Sequence, residues 1–271
     1  MQQLDIYGKS KEEQAIEFIV DNKPDGEPWF VGISGGKDST VLYHLCKMSG
    51  IECEYYYSAT GIDPPEITKH IKRYMPDVIL KKPPVSFYHD IQIKGFPTKR
   101  TRWCCDTLKK FAFADVPLKD RLMGIRAEES SNRAKRPQID RYKNGDTVFK
   151  PIFYWLEWEI WEFIERHNLP YCSLYDEGFS RIGCVVCPFI CNPKPKYAKW
   201  ILQRHKDRWP GIYKAFERAM YKFYYTGQIS SIRKLRMNNL WRKSLKYDDP
   251  ITYEIFLHNW YIGKTNFYKK N

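Results

Sequence analysis

The sequence predicts an α/β chain: a doubly wound, mostly parallel sheet followed by a basic, mainly helical extension. Short apolar runs such as Trp29–Ile33 alternate with stretches whose apolar residues recur at helical spacing, which is the pattern of parallel βαβ units. A glycine turn, Gly35-Gly36, joins the first of those runs to the next helical stretch. The third observation is charge. Residues 1–191 hold 27 basic and 27 acidic side chains, whereas residues 192–271 hold 18 and 5, so the formal net charge of +13 lies entirely in the last 80 residues. Two domains are expected, residues 1–191 around the sheet and residues 192–271 as the basic extension.

The elements follow in order. Residues 9–20 place Ala15, Ile16, Phe18 and Ile19 on one side of a helix. Trp29–Ile33 is a continuous apolar run that suits a buried strand. Helical spacing resumes over 40–48, a second strand is expected at 53–57, a helix at 66–74 and a third strand at 78–80. Residues 107–114 read as a helix and 121–124 as a strand, while the polar stretch 132–146 reads as a loop. Ile160, Phe163 and Ile164 mark a helix over 158–167. Two further helices, 197–205 and 212–225, are separated by Pro210-Gly211.

With 43% hydrophobic and 28% charged residues, the chain can bury a core and is not of the disordered class. No apolar run approaches the roughly 20 residues of a bilayer span, and residues 1–7 lack a secretory pattern. A cytoplasmic protein with no membrane contact is expected. The basic extension also holds 17 of the 44 aromatic residues. Lys194 to Lys206 with Trp200 and Trp209, and Arg233-Lys234-Leu235-Arg236 with Trp241-Arg242-Lys243, interleave charge with rings. Phosphates attract the first and bases stack on the second, so nucleic acid is an expected partner; a solvated helical face over an aromatic core is the alternative.

Ser34-Gly35-Gly36-Lys37-Asp38-Ser39-Thr40 follows a strand and opens a helix. Such a turn presents backbone N–H groups and the positive helix end to phosphate. Glycines admit the anion closely, Lys37 adds charge, Ser34 and Ser39 offer hydroxyls, and Asp38 is a candidate holder of Mg²⁺ bridging to the phosphate. The Walker pattern is excluded, because Asp38 stands where Ser or Thr follows Gly-Lys. Lys37, Asp38 and Ser39 are the candidate catalytic residues.

The loop resembles the pyrophosphate loop (PP-loop) of the adenine nucleotide alpha-hydrolase superfamily. Thr60-Gly61-Ile62-Asp63-Pro64-Pro65-Glu66 resembles the Thr-Gly-x-x-x-Pro-Glu segment of phosphoadenylyl-sulfate (PAPS) reductase relatives, with Ala59 where that family usually carries Asp. Arg102-Trp103-Cys104-Cys105, Lys109-Lys110, and Gly124-Ile125-Arg126-Ala127-Glu128-Glu129-Ser130 with Arg133 match in the same order. So do Pro151, Trp158 and the run from Tyr175 to Cys184. The likeness covers roughly residues 25–190. It implies a nucleotide-binding set of Ser34, Gly35, Gly36, Lys37, Asp38, Ser39, Thr40, Thr60 and Gly61, with Arg126 and Arg133 at a strand end suited to a second anionic group.

Of eight cysteines, Cys46 and Cys53 lie in apolar periodic stretches and read as core. Cys184-Val185-Val186-Cys187 has the gap that lets two thiolates reach one centre, either zinc or iron–sulfur. Adjacent side chains such as Cys104-Cys105 diverge, which strains a single tetrahedral ion and suits separate corners of a cubane. Resemblance to bacterial sulfonucleotide reductases, which carry this Cys-Cys plus Cys-x-x-Cys set, implies a 4Fe-4S cluster on Cys104, Cys105, Cys184 and Cys187. Cys191 is a candidate substitute for Cys105, and Lys109 and Lys110 would compensate charge.

The resemblance implies an enzyme, with three readings. Assimilatory reductases of the family act through a C-terminal cysteine, and here no cysteine follows Cys191. The leading expectation is therefore an iron–sulfur ATP pyrophosphatase that adenylylates a substrate for sulfur transfer to nucleic acid, of the tRNA-thiolating or DNA-phosphorothioating type. ATP, Mg²⁺ and a sulfur donor such as a cysteine desulfurase are the implied partners. The others are a sulfonucleotide reductase that releases sulfite and a non-catalytic nucleotide-binding regulator.

Overall fold

The computed structural model describes residues 8–99, 101–189, 195–226, 257, 260 and 261, with backbone alone at 195–201 and 224–226. Cys191 and the Arg233-to-Lys243 basic stretch lie outside the described residues. In chain order the elements are α1 (Lys11–Asp21), β1 (Trp29–Ile33), α2 (Lys37–Ser49), β2 (Cys53–Ser58), α3 (Pro65–Tyr74), β3 (Ile79–Lys81), α4 (Phe87–Lys94) and α5 (Trp103–Cys105). Then come β4 (Asp120–Met123), α6 (Ser131–Ala134), β5 (Ile139–Arg141), β6 (Thr147–Phe149), α7 (Glu157–Arg166), α8 (Pro195–Arg208) and α9 (Pro210–Thr226). No helix among the described residues is long and apolar enough to cross a membrane.

Two compact units partition the chain. The first is Met1–Ala59, Pro65–Lys81 and Phe113–Ile182; the second is Thr60–Pro64, Lys82–Ala112 and Gly183–Asn271. The segments carrying Cys104, Cys105, Cys184 and Cys187 thus group with the C-terminal residues, whereas the sequence reading put them with the nucleotide loop in residues 1–191.

The first unit holds the α/β fold. Its six strands run in the order β3-β2-β1-β4-β6-β5. All neighbours are parallel except the terminal β5–β6 pair. Trp29, Phe30, Val31 and Ile33 of the central β1 are buried, which explains why that strand reads as a continuous apolar run rather than an alternation. On one face Phe30 stacks on Tyr56 at 4.7 Å and meets the edge of Phe113 at 5.3 Å. On the other, Trp29 packs edge-on against Phe149 at 4.9 Å. Each such ring contributes about 2 kcal/mol by leaving water.

Three segments differ from the sequence reading. The 132–146 stretch contains the end of α6 and the short edge strand β5, whose Asp140 is buried beside Lys150. A polar three-residue strand carries no apolar alternation to reveal it. The expected helix at 107–114 is a π turn (Asp106–Lys110) followed by a 3-10 turn (Phe111–Phe113). Helix α4 was not foreseen. Its start is capped by the Ser86 side chain, which accepts from His89 N, and Phe87 and Ile91 are buried.

In the second unit Phe87 of α4 lies between Trp103 at 5.7 Å and Phe216 of α9 at 6.1 Å. Trp260 closes on Phe216 at 4.6 Å and donates its indole N–H to Pro97 O at 2.9 Å. Aromatic residues of the C-terminal segment therefore serve partly as core. The break between α8 and α9 falls at Pro210, which opens α9 at a position needing no amide donor.

Candidate functional site

The glycine loop sits at the carboxyl end of β1, where the strand order turns from β1-β2-β3 on one side to β4 on the other. Open parallel sheets bind ligands at such switch points. Gly35 has φ +72°, and a Cβ there would stand 2.6 Å from Ile67 Cγ2 of α3. Both its conformation and its packing exclude a side chain. Gly124, at the end of β4, would bring a Cβ to 2.9 Å from Asp38 O and 3.2 Å from Ser39 N. The β4 end therefore presses directly against the loop backbone.

Hydroxyls hold the turn in shape. Ser34 N donates to Ser39 Oγ at 3.2 Å, while Ser39 Oγ donates to Gly36 O at 2.9 Å. Thr40 Oγ1 also donates to Gly36 O, at 3.2 Å. Gly36 caps α2 and provides no side chain to satisfy the first amides, which leaves them to another acceptor. One such acceptor is present: Lys37 N donates to the Tyr175 hydroxyl at 2.9 Å. That oxygen stands where an anionic oxygen would satisfy the same N–H.

Charged side chains converge behind the loop. The Lys37 ammonium is buried, 3.7 Å from Asp38 Oδ2 and 3.5 Å from Glu157 Oε1. Arg126 is also buried; its Nε donates to Asp38 Oδ1, and one Nη to Glu128 Oε2 and to Trp155 O. Its other Nη lies 4.0 Å from Glu157 Oε2. Despite burial, these carboxylates raise the Arg126 pKa further, so the guanidinium stays charged. Asp38 therefore stands between two cations. Its Oδ1 accepts from Arg126, while Oδ2 faces Lys37. Arg133 is half exposed and pairs with Glu129 one turn away.

Thr60 and Gly61 belong to the second unit. Thr60 Oγ1 donates to Asp63 Oδ2 at 2.7 Å and accepts from Ile62 N at 3.3 Å, while Gly61 has φ +77°. This unit also gathers the two cysteine pairs. The Cys104–Cys105 hydrogen bond, aided by Lys109 and Arg102, draws the Cys105 thiol down to about 6; the same bond, together with burial, pushes Cys104 up. Cys104 also feels Cys184 and Cys187. Burial raises the Cys184 thiol, with Asp63 acting in the same direction and Lys109 against it. The Lys109 ammonium is in turn held charged, chiefly by Cys184, and hydrogen-bonds to it. A readily ionised thiol beside a lysine is the chemistry of a soft-metal donor set. Among the described residues, however, no three His, Cys, Asp or Glu side chains are arranged to hold a metal ion.

Sequence reasoning missed three participants. Glu157 and Tyr175 reach the loop from more than a hundred residues away; no local pattern marks Glu157, and the matched run that begins at Tyr175 does not reveal its partner. Asp63 lay within a quoted motif, yet only the folded chain shows it against Cys184 and Lys109.

Residues 28–189 match the model of the phosphoadenosine phosphosulfate reductase domain. An uncharacterized protein of Methanocaldococcus jannaschii is 30% identical over 220 residues, covering 76% of this chain and 45% of that protein. An adenosine 5'-phosphosulfate reductase of Shouchella clausii is 28% identical over 186 residues, covering 64% of this chain and 76% of the enzyme. The chain spans about half the length, or less, of the first curated relatives it matches. In fold it resembles the phosphoadenylyl-sulfate reductase of Candida auris, with a TM-score of 0.51 at 17% identity, covering 66% of this chain and 90% of that one. With its glycine loop, the strand ends around it and the cysteine motifs all inside the matched span, the chain belongs to the phosphoadenosine phosphosulfate reductase domain family.

Proposed function

We propose that this protein cleaves ATP between the α and β phosphates and adenylylates a nucleic-acid acceptor for sulfur transfer. The observation that carries the reading is the start of α2, where the capping residue Gly36 makes no side-chain hydrogen bond to the first amides. Its first amides, the Ser34 and Ser39 hydroxyls and the buried Lys37 form a preorganised cradle for a leaving pyrophosphate. In the reaction an acceptor oxygen attacks the α-phosphorus, the bond to the bridging oxygen breaks, and its electron pair leaves with pyrophosphate. Loop amides and Lys37 bind that charge. Arg126 holds Asp38 and so fixes the loop from below. A sulfur donor then displaces AMP from the activated atom. Cys104, Cys105, Cys184 and Cys187 are the residues that would hold an iron–sulfur cluster, which supplies a binding point for sulfur when present. The basic C-terminal segment, net +13 over residues 192–271, supports a polyanionic acceptor.

Pyrophosphate release from ATP, stimulated by single-stranded nucleic acid, is the expected result. The family's reductase members favour a second reading, which predicts instead sulfite release from an adenylyl sulfate with a thiol reductant. Sulfite without pyrophosphate would replace the first reading by the second; nucleotide binding without either product would make the protein a regulator.

A further inference from the structure

A cleft of about 300 Å³ in the first unit opens between α7 and the segment 171–180, within the size range of small-molecule sites. Trp161, Tyr171 and Tyr175 line it. The indole meets the two phenol rings almost perpendicularly, at 85° and 87°, with centroids 5.3 Å and 5.1 Å away. Two carboxylates also line it, Glu157 from α7 and Asp176 from the 171–180 segment. The cleft shares two residues with the phosphate loop: Tyr175 accepts the Lys37 amide, and Glu157 faces the Lys37 ammonium at 3.5 Å.

We propose that this cleft binds a nucleobase bearing both an exocyclic amino group and a ring carbonyl, such as cytosine, and that the bound base presents its carbonyl oxygen to the loop as the acceptor; only the second clause rests on the proposed function. Aromatic walls select a flat ring. A compact cation is disfavoured, because Lys37 lies 5.7 Å from the centre of the Tyr175 ring and already occupies that positive position. The carboxylates then choose among flat rings. Asp176 Oδ1 accepts the Tyr171 hydroxyl at 2.8 Å, and a carboxylate accepts several donors at once. An amino group such as that of cytosine donates to it, whereas the O4 carbonyl that uracil or thymine carries at the same position meets it acceptor to acceptor. A base taken out of its stack and read by rings and edge hydrogen bonds is the general way enzymes reach a base atom.

The test uses the full chain and short single-stranded oligonucleotides of one base type, in both RNA and DNA form, followed by fluorescence anisotropy without ATP. Cytosine tracts should bind about tenfold more tightly than uracil or thymine tracts. Asp176→Asn keeps an acceptor for Tyr171 but adds a donor, so it should abolish most of that preference, the affinity for cytosine tracts falling towards that for uracil tracts. Trp161→Leu should weaken cytosine-tract binding about tenfold, its fold verified by an unchanged thermal melt. Equal binding of cytosine and uracil tracts, or a preference that survives Asp176→Asn, overturns the proposal. Pyrophosphate release separates the two ideas. Base preference without release retains the cleft and removes the reaction; release stimulated equally by all tracts retains the reaction and removes the cleft.

Discussion

Gly35 and Lys37 divide the work of the loop between shape and charge. Gly35→Ala must accommodate a positive φ and a methyl group 2.6 Å from Ile67 Cγ2, within a buried α3 contact. A loss of about 2–4 kcal/mol in urea unfolding is expected. Lys37→Ala removes the ammonium facing Glu157 and Asp38 without touching the backbone. ATP affinity should fall about 10- to 100-fold, with an unfolding midpoint close to that of the parent. Equal affinity in this variant, measured by equilibrium binding, would remove the phosphate role of the loop. The motif made both residues visible in the sequence. Tyr175 was visible only as one letter of a longer match, because its hydroxyl reaches Lys37 N across 138 positions.

Among the helices, α8 (Pro195–Arg208) carries a pH dependence. His205 is buried against Trp209 at 4.9 Å. Burial lowers its pKa to about 4, and a hydrogen bond with the Val185 backbone opposes that only in part. The unfolded imidazole titrates near 6.5, so the unfolded chain binds the extra proton first as pH falls. Stability from the neutral ring is fully present above pH 6.5 and is lost as pH falls towards 4, by about 3 kcal/mol in all. Denaturation at pH 7 and at pH 4.5 should show this slope, and His205→Gln should flatten it. Periodicity announced α8; nothing in the sequence set this histidine apart from the other five.

At the scale of the whole molecule, the two cysteine motifs come together only through the fold. Cys104-Cys105 and Cys184-x-x-Cys187 are 79 positions apart at their nearest ends, yet Cys104, Cys184 and Lys109 interact electrostatically within the second unit. An anaerobic preparation is expected to contain iron and sulfide with broad visible absorption. Cys184→Ser should lose most of both, while Cys172→Ser, a buried site on the other unit, should retain them. Iron and absorption retained in Cys184→Ser would remove that residue from the ligand set.

The sequence by itself determined the strand–turn–helix units, the glycine loop and the presence of two thiol motifs. Those are local patterns: a buried strand must be apolar throughout, a close backbone approach requires glycine, and a helix must show its period. The partners were decided by tertiary structure, because pairing depends on distance in space rather than along the chain. It turned Asp38 towards Arg126, brought Glu157 and Tyr175 onto Lys37, inserted the polar edge strand β5 where no apolar alternation foretold it, and enclosed a ring-lined cleft beside the loop.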